Sequence, residues 1–325
     1  MAKPLLEVSD LSVDYPTDAA DVHAVKEVSF TVEPGEFLGI VGESGCGKST
    51  LLFGVGQLLS PPGEVVGGSV VFHGHDMVRL AGEELRSVRW RDYSVVMQSA
   101  MNALNPMKSI GAQFKDTLEA HRTMSDGEIE QRSAEVLRMV GIDPVHLASY
   151  PHQLSGGMRQ RAMISMALLF TPQLVMMDEP TSALDVVAQR SLMSKIKELQ
   201  ETLGFAVIFV THDMSVVSRY SDRVLVMYAG EIAEAASTEE IFERPRHPYT
   251  RALMNAIPSV RGPRRELLGI PGSPPDLAHP PTGCPFHPRC PDVMPECLNV
   301  DPPLYPVEDA EVRCLLYTEQ AKEAV

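Results

Sequence analysis

An α/β fold is what this 325-residue sequence predicts, and three observations carry the prediction. Between about Leu5 and Gly230, short continuous apolar runs (FLGIVG, LVMMD, AVIFVTHD, RVLVMYAG) alternate with amphipathic stretches, the pattern of buried strands packed between helices. A glycine-rich segment, GESGCGKS, stands between the strand-like FLGIV and the helix-like TLLFGVGQLL. Past residue 244 the composition turns abruptly: more than half of the 26 prolines lie there, and hydrophobic periodicity almost vanishes. The expected organisation is therefore a domain over residues 1–244 with a β-rich N-terminal part and a helical insert over about 90–165. A proline-rich, cysteine-containing tail follows over 245–325. Such a tail buries too little apolar surface to order itself, so either something else staples it or it is loose.

Composition narrows the classes. With 44% hydrophobic and 22% charged residues, the chain has material for an ordinary buried core. No apolar run approaches the roughly 20 residues that a membrane-spanning helix requires. The N-terminal MAKPLLEVSDLSV has neither the apolar core nor the cleavage site of a signal peptide. A cytoplasmic protein is expected, one that would serve a membrane from its surface. A net charge of −15 disfavours nucleic acid as a partner, since phosphates repel such a chain unless a basic face is segregated.

The segment Gly42–Ser49 is read as a phosphate-binding loop. Gly42, Gly45 and Gly47 let the backbone curl so that successive N–H groups, Ser44 among them, face a phosphate. Lys48 adds a cation for the β and γ oxygens, and the Ser49 hydroxyl, with Thr50 beside it, completes the shell of a Mg2+ ion. The run LVMMD ends on Asp178, with Glu179 next. An apolar strand can present two adjacent carboxylates at its tip, Asp178 to hold Mg2+ through water and Glu179 to polarise an attacking water as general base. An acidic pair after a strand is most often a solvated loop start; its place between LSGGMRQR and TSALD reverses those odds.

LSGGMRQR, at Leu154–Arg161, precedes the helix-like RAMISMALLF. Ser155, Gly156 and Gly157 would open that helix, whose unpaired N–H groups attract phosphate. Two phosphate sites in one chain suggest that each nucleotide is shared between two subunits.

Cys284, Cys290, Cys297 and Cys314 all lie in the tail, whereas Cys46 sits in the phosphate loop where any small residue suffices. In a reducing compartment, clustered cysteines favour metal over disulfides. No CxxC pair is present, which weakens a zinc site, although His287 could serve as a substitute ligand. Four thiolates at wider spacing can hold an iron–sulfur cluster, and a set without metal is the third reading.

Taken in order, these motifs resemble those of the ABC-type ATPases. The resemblance implies that Tyr15 stacks on adenine, that Gln98 touches Mg2+ or the attacking water and senses the membrane subunits, that Asp185 lies in a loop crossing between two nucleotide sites, and that His212 contacts the γ-phosphate. ALNPMKSIGAQF after Gln98, and HPYTRALMNAIP at His247–Pro258, are similar to the oligopeptide/dipeptide importer branch, which shares both features with nickel importers. Ser99 departs from the acidic residue expected at that place. For this branch the resemblance implies an ATP-hydrolysing subunit that powers peptide import by closure and reopening of a dimer, with ATP and Mg2+ and a [4Fe-4S] cluster on the four tail cysteines. It further implies a second ABC ATPase subunit in a heterodimer, two integral membrane permease subunits and, indirectly, an extracytoplasmic substrate-binding protein, with the chain peripheral on the cytoplasmic face of the cell membrane. The alternatives are a nickel importer ATPase or a soluble ABC ATPase acting on DNA or ribosomes. The interval from Ser49 to Leu154 is too short for the long coiled coil of the DNA-acting class, and only one cassette is present.

Overall fold

A computed structural model describes residues 3–18, 20–98, 103–182, 184–256 and 269–318. Ser99, Ile257 and Pro258, noted in the sequence, lie outside the described residues. The chain divides into two compact units, one of Met1–Leu5, Val32–Phe37 and Arg79–Val210, the other of Leu6–Thr31, Leu38–Val78 and Thr211–Val325.

In the first unit, β6 (Tyr93–Val96), β7 (Leu174–Asp178) and β8 (Ala206–Thr211) form a parallel ladder in the order β8-β7-β6. Every residue of LVMMD and AVIFVT is buried, which explains why these strands are continuous apolar runs with no alternation. The insert is helical as its periodicity predicts. It includes α3 (Ile110–His121), α4 (Asp126–Met139) and α5 (Gly156–Ala167), after the short α2 (Gly82–Val88). Ser125 and Glu128 close a capping box at the start of α4, within the stretch SDGEIEQRSAEVLRMVG. The long α6 (Val186–Leu203) ends on Gly204 in the left-handed conformation (φ 76°).

In the second unit, β1 (Leu6–Tyr15), β2 (Val22–Val32), β4 (Glu64–Phe72) and β5 (His75–Asp76) form a sheet in the order β2-β1-β4-β5, with alternating burial along β1 and β4. A second set of strands runs in the order β11 (Tyr305–Val307), β12 (Ala310–Val312), β10 (Glu231–Ser237), β9 (Arg223–Tyr228), β3 (Phe37–Val41). There β3 (Phe37–Val41) pairs in parallel with β9 (Arg223–Tyr228), from Leu38 opposite Arg223 to Val41 opposite Val226. The phosphate-loop helix α1 (Lys48–Val55) follows β3, and α7 (Met214–Tyr220) follows His212.

The described part of the tail is more ordered than its composition predicts. The short strands β11 (Tyr305–Val307) and β12 (Ala310–Val312) extend the sheet beyond β10 (Glu231–Ser237), with Glu234 opposite Val312 and Ala236 opposite Ala310. Backbone pairing thus supplies the order that apolar periodicity does not. After α8 (Thr238–Glu243), the Glu234 carboxylate accepts the N–H groups of Arg246 (2.8 Å) and His247 (2.9 Å), which seats the start of α9 (Pro248–Asn255). Burial lowers the His247 pKa to about 3, so its ring is neutral, and Nδ1 accepts the Tyr249 N–H at 3.0 Å as an N-cap.

Glu231 is buried at the start of β10, 4.0 Å from the Arg313 guanidinium. Burial raises its pKa to about 7, against the opposing pull of Arg313. Its folded-state pKa exceeds the unfolded value, so its contribution to stability is fully present below about pH 4.5 and is lost as pH rises through 7. The stability difference between wild type and Glu231→Gln is therefore expected to move in favour of the variant by roughly 2 to 3 kcal/mol between pH 5 and 8. Urea titrations at the two pH values measure it, and a constant difference would refute the shift.

Candidate functional site

The phosphate loop lies in the second unit, and two of its glycines are required by backbone crowding. A Cβ on Gly42 (φ 156°) would stand 2.2 Å from the Met227 carbonyl oxygen, and one on Gly47 (φ 101°) would stand 2.2 Å from that of Ala24. The loop is thus seated against main chain of β2 and β9, and Gly47 becomes the N-cap of α1. The Cys46 carbonyl accepts the Gly230 N–H at 3.0 Å, closing the seat from the β9–β10 turn.

Lys48 is buried, and its ammonium folds back over the loop, donating to the carbonyls of Gly42 (2.9 Å) and Glu43 (2.8 Å). Its approach to Cys46 Sγ, at 3.7 Å, is long and weak, so the third proton has capacity for a stronger acceptor such as a phosphate oxygen. Burial raises the Cys46 pKa, which keeps that side chain a neutral thiol beside the loop. Ser44 and Gly45 are exposed, and Ser49 and Thr50 are half-buried in the first turn of α1. Tyr15, half-buried at the end of β1, packs its ring over Gly63, where a Cβ would stand 2.5 Å from the ring. His212 is exposed between β8 and α7, whose N-cap is Asp213.

Glu43, a variable position of the loop pattern, turns out to be a junction. Its backbone N–H donates to the Tyr249 hydroxyl (2.9 Å), and its carboxylate takes a two-pronged ion pair from Arg289, at 2.6 and 3.0 Å. Arg289 is buried and also donates to the Pro271 carbonyl (2.8 Å) and the Tyr228 hydroxyl (3.3 Å). Tyr228, Tyr249 and Phe286 form a cluster of ring contacts around it, with centroids 4.6 to 5.4 Å apart. The sequence offers no local signal for these partners, because Arg289 is 246 positions from Glu43.

The first unit carries the other predicted groups. Asp178 is buried at the tip of β7. Glu179 adopts a left-handed backbone (φ 43°), uncommon for a non-glycine residue, and is held there by its N–H on the Val210 carbonyl at 2.9 Å. The Gln98 amide donates to Glu179 Oε2 at 2.9 Å, so two residues matched separately in the sequence meet. Gln160, not singled out in the sequence, donates from the buried face of α5 to the Pro180 carbonyl at 2.7 Å and fixes the turn after Glu179. Ser155 caps α5 by accepting the Met158 N–H, with Gly156 and Gly157 opening the helix. Asp185 caps α6, its carboxylate accepting the N–H groups of Val187 (3.0 Å) and Ala188 (2.9 Å).

Cys284, Cys290, Cys297 and Cys314 are free thiols. They share one region: burial pushes the Cys284 thiol up to about 12, helped by the nearby thiols of Cys297, Cys314 and Cys290. Burial likewise pushes Cys314 up to about 11, with Cys290 and Cys297 adding to the effect. Among the described residues, no group of three or more His, Cys, Asp or Glu side chains is drawn together closely enough to hold a metal ion.

A model of the ABC transporter family matches residues 25–182, and one of the oligopeptide/dipeptide transporter C-terminal region matches 233–297. The chain is 44% identical to the oligopeptide transport ATP-binding protein OppD of Salmonella typhimurium, over 93% of this chain and 90% of the relative. It is 42% identical to the dipeptide transport ATP-binding protein DppD of Bacillus subtilis, over 99% and 97%. This chain belongs to the ABC transporter family, as one of its ATP-binding proteins.

Among solved structures, this ABC ATPase is similar to the ATP-binding cassette MJ0796, a dimer in a post-hydrolysis state with ADP and Pi. The TM-score is 0.64 and the identity 29%, covering 72% of this chain and 98% of that one. It is similar also to cbiO1 of Clostridium perfringens, with a TM-score of 0.64 and 27% identity over 75% and 93%. Among the described residues of the ABC ATPase, no helix is long and apolar enough to cross a membrane. Because the Ala24 carbonyl is main chain of a paired strand, Gly47→Ala is expected to displace the loop and weaken Mg·ATP binding more than about tenfold. Calorimetric titration, with circular dichroism as a control for folding, measures this; unchanged affinity would disprove the crowding argument.

Proposed function

We propose that this chain is the ATP-hydrolysing subunit that powers import of peptides across the cytoplasmic membrane. The observation that carries the reading is that likeness to oligopeptide and dipeptide transport ATP-binding proteins runs through both the cassette and the 233–297 region named for that transporter group. The chain works on the cytoplasmic face of the membrane with a second, different ABC ATPase subunit, two permease subunits and, indirectly, an extracytoplasmic substrate-binding protein. The dimeric state of a cassette of the same fold supports the pairing.

In this reading, Tyr15 stacks on adenine, and Gly42, Ser44, Gly45, Gly47, Lys48 and Thr50 hold the phosphates. Ser155, Gly156, Gly157 and Asp185 meet the nucleotide of the opposite subunit. Ser49, Asp178 and Gln98 are the residues that would hold a Mg2+ ion, which when bound would supply charge neutralisation to the phosphates. Glu179 takes the proton of the attacking water. Its carboxylate rotation is fixed by the Gln98 amide, and its main chain by the Val210 carbonyl and the turn that Gln160 holds. His212 contacts the γ-phosphate. Closure around ATP and reopening after hydrolysis move the permeases, because ATP favours the closed state of the dimer.

The four tail thiols hold a [4Fe-4S] cluster in this reading. Support comes from the donor chemistry: four free cysteines, two buried and two half-buried, lie close enough that neighbouring thiols add to burial in disfavouring ionisation of Cys284 and Cys314, a cost that a bound cationic centre would offset. Protein purified without oxygen is expected to contain about four iron and four sulfide per chain, with broad absorption near ~400 nm; zinc, or no metal, would refute the cluster and leave the ATPase reading untouched. For hydrolysis, Glu179→Gln is expected to retain ATP and lower turnover of the assembled transporter at least about a hundredfold. Turnover near wild type would remove Glu179 as the base.

A further inference from the structure

The cysteine-bearing tail reaches into the phosphate loop at one residue. Three groups of Glu43 are engaged: its N–H on the Tyr249 hydroxyl, its carboxylate on the Arg289 fork, and its carbonyl on the Lys48 ammonium. The first two hold the residue from outside the loop, and the third passes that hold to the cation that would grip phosphate. We propose that Arg289 and Tyr249 are positioning residues of the ATP site, which act through Glu43 to hold the loop backbone and Lys48 in the phosphate-binding arrangement. The proposal rests on the reading of Gly42–Ser49 as the nucleotide site.

The geometry favours a positioning role over general packing. A two-pronged guanidinium–carboxylate pair fixes the orientation of both groups, which a lysine at the same place would not do. Arg289 has little freedom of its own: its side chain is 5% exposed, Nε is tied to the Pro271 carbonyl, and its backbone N–H to the Phe286 carbonyl at 3.0 Å. Tyr249 is fully buried between Tyr228 and Phe286, so its hydroxyl meets the Glu43 N–H from a fixed ring. Both residues therefore act as rigid struts and Glu43 as the part they locate.

The struts are in turn located by the tail. Arg289 ends a short helical turn, His287–Arg289, between Cys284 and Cys290. The Cys284 carbonyl accepts both the backbone N–H of His287 (3.0 Å) and its ring Nδ1–H (2.9 Å), and the Cys284 N–H donates to the Cys297 carbonyl at 2.9 Å. The order of the thiol segment and the position of Lys48 are thus linked through two side chains, making the tail a structural part of the ATP site.

The test is calorimetric titration of the full-length chain with Mg·ADP. Arg289→Lys keeps the charge and loses the fork, and is expected to weaken binding about tenfold. In a Glu43→Gln background, where the ion pair is already gone, the same change is expected to have less than about a twofold effect, since residues that act through one another are not additive. Equal effects in both backgrounds, or none in either, would overturn the proposal. Should Arg289→Lys fail to fold, Tyr249→Phe decides alone. It removes one hydroxyl and keeps the ring contacts, with an expected loss of about threefold or more in affinity, and unchanged affinity would overturn the proposal. A wild-type chain that does not bind Mg·ADP would instead defeat the nucleotide-site reading, a result distinguishable from either.

Discussion

Backbone crowding at Gly42 and Gly47 governs the placement of the phosphate loop. A loop that binds phosphate with its own N–H groups must present main chain, so its side chains have to be absent where it turns against the strands that carry it. Here the supporting carbonyls belong to Ala24 and Met227, and neither can retreat without breaking a strand. The seat then fixes the start of α1, the site of Lys48, and the carbonyls on which the Lys48 ammonium rests. The contacts made by Glu43 matter because they act on this same short piece of chain.

The first unit solves a different problem, that of holding a carboxylate in a strained place. Glu179 pays for a left-handed backbone with bonds from neighbours on three elements: the Val210 carbonyl of β8, the Gln98 amide after β6, and the Gln160 amide of α5 on the next carbonyl. Strain that is over-determined in this way keeps a side chain from relaxing into a more comfortable conformation. Asp178, one residue earlier and still in the ladder, needs no such support, because β7 pairs with Val210 at that register.

The tail shows how a segment poor in apolar periodicity acquires order. It borrows a sheet edge for β12, an internal carboxylate for the entry to α9, and a cluster of aromatic rings beside the loop. Each of these devices uses hydrogen bonds or a few large rings in place of a stripe of small apolar side chains. Main-chain pairing to β10 is thus one staple that the composition of the tail does not announce.

By itself the sequence determined the buried strands, the helical insert and the motif residues, since each of these depends on local spacing. A run of five apolar residues, a glycine at a required turn, or a serine opening a helix can be read within a window of ten residues. The same holds for Lys48, Asp178 and Glu179 as candidates. Tertiary structure alone decided which groups meet: Gln98 on Glu179, Gln160 on Pro180, and Arg289 and Tyr249 on Glu43. These partners lie tens to hundreds of positions apart, and a single arginine or tyrosine in a proline-rich tail carries no periodicity to mark it. Their pairing depends on strand order and on where the tail docks, quantities that exist only once the chain is folded.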